Sequence, residues 1–178
     1  MSTETLARLW EIANEESNIS GKEPDFVFDP VGLILVEPLT QIIYESTPSN
    51  SVCFAQTGGD GVHFSLLEIK GINTENSPVV MTVPMNFENE NIIVGENLLD
   101  FLSLGCQAGY FFLEQFSYNW NKTVLFYGDS NNYFKDDAIG KRLITLLINE
   151  FNLQPWNNID GRLQQLQTKY KPMLEFSN

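Results

Sequence analysis

His63 is the only histidine in this chain of 178 residues, so any Ser-His-Asp or Cys-His relay would have to run through it. It lies just past a glycine-rich turn, Thr57-Gly58-Gly59-Asp60-Gly61, which places Asp60 within reach as an orienting carboxylate. A hydrolytic triad would also need a nucleophile on a sharp turn, and the chain has no G-x-S-x-G. The competing and favoured reading is a hydrogen-bonded structural histidine. The turn could also be imagined as a phosphate cradle. It lacks G-x-G-x-x-G spacing, no Gly-Lys-Ser/Thr follows, and a strand pattern continues where an anion site needs a helix N-terminus. The spacing therefore predicts a hairpin between Ser51–Gln56 and Val62–Ile69, with Val62, Phe64 and Leu66 on one face and His63, Ser65 and Leu67 on the other.

Other side chains with chemical potential are weaker candidates. Glu96, Asp100 and Glu114 could supply paired carboxylates for glycosidase-like work, yet acids four apart on one helix face are ordinary surface residues. Two oxygen-rich stretches, Asn86–Asn91 and the run starting at Asp129, resemble calcium loops only loosely. The first lacks the sixth-position glycine and the twelfth-position glutamate; the second has Phe134 and Gly140 at those places. Cys53 and Cys106 lie in apolar stretches without a C-x-x-C pair, which predicts two buried free thiols and neither a zinc site nor a redox motif. No residue is assigned a catalytic role, and no metal or cofactor is expected.

Charge excludes more than the motifs do. The net charge is −13, and residues 1–121 hold 17 acidic against 3 basic side chains, whereas residues 122–178 come to +1. Between Glu23 and Asn121 the sole cation is Lys70. Such a surface repels nucleic acid and would steer a basic protein towards it. No apolar run is long enough to span a membrane, and the N-terminus has neither the basic nor the apolar part of a secretory signal. A cytoplasmic protein is expected.

The elements that position these residues follow from periodicity. Helices are predicted over Thr3 to about Asn14, over Leu39–Tyr44 after Pro38, from Gly95 through Leu102 to Gly105, over Asp136–Phe151 and over Ile159–Tyr170. Ala108–Tyr118 favours helix, with strand as the alternative. Strands are predicted at Phe26–Phe28, through the hairpin, at Val79–Val83, at Ile92–Val94 and at Thr123–Tyr127. Tyr110-Phe111-Phe112 and Tyr118-Asn119-Trp120 read as core or edge packing. Mixed elements without a dividing linker predict one α+β domain, a mainly antiparallel twisted sheet with helices packed on it. Within it, residues 1–24 form an N-terminal helix and loop, 25–150 the core, and 151–178 a C-terminal helical extension.

Three segments carry a resemblance to a known family: Glu37-Pro38-Leu39 with Ile42-Ile43-Tyr44, then the Thr57–Gly61 turn, then Gly95-Glu96-Asn97-Leu98-Leu99-Asp100-Phe101-Leu102. In this order, over roughly residues 25–150, the chain resembles the SUKH superfamily of bacterial immunity proteins and yeast Knr-like domains. The resemblance implies an α+β domain without catalysis that binds a partner protein, in bacteria often a toxin domain. A basic, nuclease-like toxin would suit the acidic field. Glu45, Asp60, Glu88 and Glu90 are the expected contact residues, because they fall on or beside predicted loops. The alternatives are a small-molecule enzyme using His63 and Asp60 in a cleft, and a regulatory or structural subunit.

Overall fold

The computed structural model describes residues 3–128 and 137–177. Its centre is a five-stranded antiparallel meander in sequence order: β1 (Ile34–Thr40), β2 (Ser51–Gln56), β3 (His63–Leu67), β4 (Val79–Thr82) and β5 (Asn91–Gly95). Register defines two faces. Ala55, Phe64, Met81 and Ile92 are aligned across β2 to β5 and are completely buried. Cys53, Ser65, Val80 and Ile93 form a row on the opposite face. These strands alternate, but neither face is solvated, so helices or connecting segments must cover both.

The first face carries the main core. Helices α1 (Glu4–Ser20), α2 (Leu98–Gly105) and α5 (Ala138–Phe151) supply much of it. In α1, Leu6, Leu9, Ile12, Ala13 and Glu16 form the buried stripe, Thr3 caps the start, and Gly21 closes the end with a left-handed turn. The helix continues past the expected Asn14 because Glu16 extends the stripe. Its carboxylate is almost buried and accepts from Arg142 of α5 at 2.6 Å. In α2, Asn97 caps the first turn, and Phe101 packs its ring 4.8 Å from Phe64, 5.0 Å from Tyr110 and 5.7 Å from Phe54. Asp137 caps α5 by accepting from the Ile139 and Gly140 amides; Asp136 and the Asp129 run lie outside the described residues.

The second face is closed by α6 (Ile159–Tyr170), whose Leu166 and Tyr170 pack on Leu67, Val80 and Ile93. The Gln167 amide also bonds both backbone groups of Ile93: the Ile93 N–H donates to Oε1 at 2.8 Å, and Nε2 donates to the Ile93 carbonyl at 2.8 Å. A side chain thus stands in for a sixth strand at the β5 edge. Beyond α6 the chain returns to the sheet, where Asn50 donates to the Met173 carbonyl and accepts from the Glu175 amide.

The α+β class is as the sequence predicts, while several elements differ. Phe26–Phe28 is not a strand. Two 3-10 turns, Pro24–Phe26 and Asp29–Val31, each begin near a proline and bury Phe28 while leaving Phe26 outside. Leu39–Tyr44 is not a helix either, because β1 runs through a cis Glu37–Pro38 bond to Thr40, and Gln41–Tyr44 continues without helix. Thr123–Tyr127 is helical, within α4 (Trp120–Gly128). Thr123 and Tyr127, four apart, form its buried side, and the Tyr127 ring stacks 5.6 Å from Phe116. Ala108–Tyr118 contains a 3-10 turn at Phe111–Glu114 and a short helix, α3 (Gln115–Tyr118).

Candidate functional site

The β2–β3 turn and the β4–β5 turn leave the sheet at the same end, where Gln56, His63, Thr82 and Asn91 are aligned in register. The Thr57–Gly61 turn is the expected hairpin. The Thr57 amide donates to the Val62 carbonyl at 3.1 Å, and Gly58, Asp60 and Gly61 take left-handed conformations at φ of +79°, +48° and +73°. A short acidic side chain tolerates that geometry better than most, and it holds Asp60 exposed at the tip.

His63 is completely buried under the β1–β2 connector. Its Nδ1 lies 2.8 Å from the Gly61 carbonyl, which can only accept, so Nδ1 carries the proton. Nε2 is then the acceptor, and the Thr47 hydroxyl donates to it at 3.2 Å. Burial holds the imidazole below its ordinary pKa, opposed by the Gly61 carbonyl. The neighbouring polar pair works the same way. Thr82 donates to the Asn91 side-chain oxygen at 2.8 Å, and the Asn91 amide donates to the Ser46 carbonyl at 2.9 Å. These bonds pin Ser46 and Thr47 across the sheet end. They set Tyr44 over His63, with ring centroids 6.0 Å apart, and leave Glu45 exposed.

The β4–β5 turn is fixed by a different anchor. The Val83 amide donates to the Glu90 carbonyl at 2.7 Å, and the Asn86 side chain donates to the Ser117 carbonyl at 2.8 Å. Lys171 donates to Asn89 at 3.0 Å. The asparagines that looked like calcium ligands are therefore engaged in holding the turn, and among the described residues no group of three or more His, Cys, Asp or Glu could hold a metal ion. With its polar atoms turned inward, the loop presents Met85 and Phe87, which is 84% exposed, together with Glu88. Glu90 is half-buried.

The 3-10 turn after Tyr110 flanks the same end. Tyr110, Leu113 and Phe116 point into the core, while Phe111 and Phe112 remain exposed with their rings 5.6 Å apart. A β-carbon on Gly59 would meet the Phe111 ring at 3.8 Å. Glu114 is pushed up mainly by burial and further by the charge of Asp60, against a hydrogen bond from Gln115. Glu45, Asp60, Glu88 and Glu90 therefore share one end of the sheet with Phe87, Phe111 and Phe112. The aromatics were missed as surface residues because a run of adjacent rings has no period; only the tight 3-10 turn separates inward from outward positions. The segments building this end, 41–47, 57–62, 83–91 and 111–115, contain no lysine or arginine.

The remaining chemical candidates are tied up elsewhere. Glu96 accepts from Lys169 at 2.6 Å and from the Tyr170 hydroxyl at 3.1 Å, and Lys169 lowers its pKa. Asp100 accepts from Arg162 at 2.5 Å and from the Glu96 amide at 2.9 Å, and burial raises it. Asp100 clasps α6 to α2 and Glu96 clasps it to the end of β5, whereas Glu114 lies with Asp60. Burial pushes the free thiols of Cys53 and Cys106 up to about 12 and about 11, far from nucleophilic thiolates at neutral pH. No helix among the described residues is long and apolar enough to cross a membrane. No family model matches the chain, and neither the curated proteins nor the solved structures give a match.

Proposed function

We propose that this chain is a non-enzymatic protein-binding domain that occludes a basic partner with the hairpin end of its sheet. The carrying observation is the coincidence of exposed Phe87, Phe111 and Phe112 with Glu45, Asp60, Glu88 and Glu90 on segments without a single cation. Aromatic anchors supply most of the energy of a protein interface, and a surrounding field of one sign steers the partner and sets its charge. The SUKH-like order of segments motivates a more specific reading through the Thr57–Gly61 turn and the Gly95–Leu102 segment. Glu37-Pro38-Leu39 with Ile42-Ile43-Tyr44 forms strand and loop instead of the helix that order implies. In that reading the chain is an immunity protein in the cytoplasm that neutralises a basic, nuclease-like toxin.

The enzyme alternative fares worse on geometry. His63 is completely buried, and both ring nitrogens are bonded within the protein, so a substrate would have to break that polar row to reach it. Assembly of identical copies through this end would oppose like charges. The test is binding to the protein encoded by the adjacent reading frame, measured by calorimetry in low and high salt. Asp60→Lys and Phe87→Ala are each expected to weaken binding at least tenfold, and salt is expected to weaken it as well. Binding indifferent to salt and to both substitutions would overturn the reading.

A further inference from the structure

The end of the sheet opposite the hairpin turns holds a separate concavity. Val52 and Leu66 face each other across β2 and β3, and Leu66 pairs onward to Val79 of β4. The connector after β3 walls this place through a tight turn, in which the Ile72 amide donates to the Ile69 carbonyl at 3.0 Å and Gly71 takes a φ of +89°. The cavity measures about 400 Å³, within the range of roughly 300–1,000 Å³ usual for small-molecule sites. Its apolar lining is wholly aliphatic: Leu39, Val52, Leu66, Ile69 and Ile72. Four polar residues complete it. The Ser77 hydroxyl is committed to the Asn73 carbonyl, but the side chains of Glu68, Lys70 and Thr74 have no hydrogen-bond partner among the described residues. Glu68 and Lys70 carry opposite charges two positions apart, yet the ion pairs among the described residues all lie elsewhere. Lys70 is also the sole cation between Glu23 and Asn121.

We propose that this cavity binds a free aliphatic amino acid: Lys70 takes its carboxylate, Glu68 its ammonium, and the aliphatic lining its side chain. Charge selects the class of ligand. A simple anion would meet both Glu68 and the field of a protein of net charge −13. A simple cation would be repelled by Lys70 and would find better acidic surface elsewhere. A zwitterion is neutral as a whole and pairs with both groups, and charge-assisted hydrogen bonds of this kind are the strong ones. An aliphatic side chain gains by leaving water for the lining. None of the cavity residues belongs to segments 41–47, 57–62, 83–91 or 111–115, which build the hairpin end, so the proposal does not rest on partner binding there.

The probe is L-leucine, titrated into the full chain and followed by the methyl NMR signals of Leu39, Val52 and Leu66. Three analogues each remove one feature: N-acetyl-L-leucine the ammonium, L-leucinamide the carboxylate, and glycine the side chain. Each is expected to bind at least tenfold more weakly than leucine. Lys70→Gln and Glu68→Gln, both at exposed positions, are each expected to weaken leucine binding at least tenfold, with folding checked by circular dichroism. Lys70→Gln is not expected to weaken leucinamide further, since that probe has no carboxylate to lose, and Glu68→Gln is not expected to weaken N-acetyl-leucine. Asp60→Lys is expected to leave leucine binding unchanged. The absence of binding at millimolar leucine, binding of either capped analogue as tightly as leucine, or indifference to both substitutions would overturn the proposal. So would a response confined to other methyl groups. None of these outcomes bears on binding of the toxin-like partner at the hairpin end.

Discussion

Replacing His63 by glutamine isolates one proton. The folded protein holds the imidazole neutral by burial, whereas the unfolded chain protonates it around the ordinary value of 6.5. A group whose folded pKa is lowered in this way costs stability as pH falls below 6.5, because the unfolded state then binds the extra proton. One proton changes stability by at most ~1.4 kcal/mol per pH unit. Wherever the ring is neutral in the fold and protonated in the unfolded chain, that slope is the most the single histidine can contribute. Asp100 and Glu114 act in the opposite sense, since their raised folded pKa values favour the folded state as pH falls. Glu96, which is lowered, loses stability only in more acid solution. All three are common to the wild type and the variant and cancel in the difference. Because the chain has a single histidine, that difference belongs to His63. Urea unfolding at constant ionic strength, followed by tryptophan fluorescence, measures it. The gap between wild type and His63→Gln should shrink as pH falls from 7.5 to 5.5, at no more than ~1.4 kcal/mol per pH unit. A gap constant within a few tenths of a kcal/mol, or one that widens, would refute the buried neutral imidazole.

Two further outcomes are expected. Gln167→Leu leaves the Ile93 N–H and C=O without partners and should cost about 1–3 kcal/mol for the orphaned donor, read as a lower Tm. The bared β5 edge should also raise light scattering on standing. Cys53 and Cys106, with thiols pushed up to about 12 and about 11, should react with Ellman's reagent at pH 8 only after unfolding in denaturant; fast labelling of the native protein would contradict their burial.

Local chemistry made some elements readable and left others ambiguous. The hairpin, α5 and α6 carry their punctuation in the sequence: glycines at positive φ, Asp137 and Asn158 as caps, and apolar side chains at helical spacing. Thr123–Tyr127 misled because β-branched and aromatic residues fit a pleated surface, yet their strand preference is weak against tertiary packing. Here the Tyr127 hydroxyl reaches the Gly109 carbonyl at 3.0 Å and its ring stacks on Phe116, contacts made from the buried side of the helix. Gly105 does stand at the end of α2, but for a reason no local pattern shows. A β-carbon there would come 2.1 Å from the Tyr110 ring, whose hydroxyl donates to the Leu102 carbonyl. The acidic members of the candidate surface were legible as loop residues. Their convergence was not, because it depends on strand order, and the aromatic members needed the inward and outward sorting of the 3-10 turn.

The clasp between Gln167 and Ile93 joins residues 74 apart, and Asn50 waits for Glu175 across 125 positions. During synthesis all five strands leave the ribosome before α6 does. Until those last residues emerge, the nascent meander has an open edge at β5 and an uncovered apolar row at Leu67, Val80 and Ile93. A message truncated shortly before Ile159 would therefore yield a chain that can pair its strands but cannot close them. Such a product is a substrate for chaperones and proteases and a seed for aggregation.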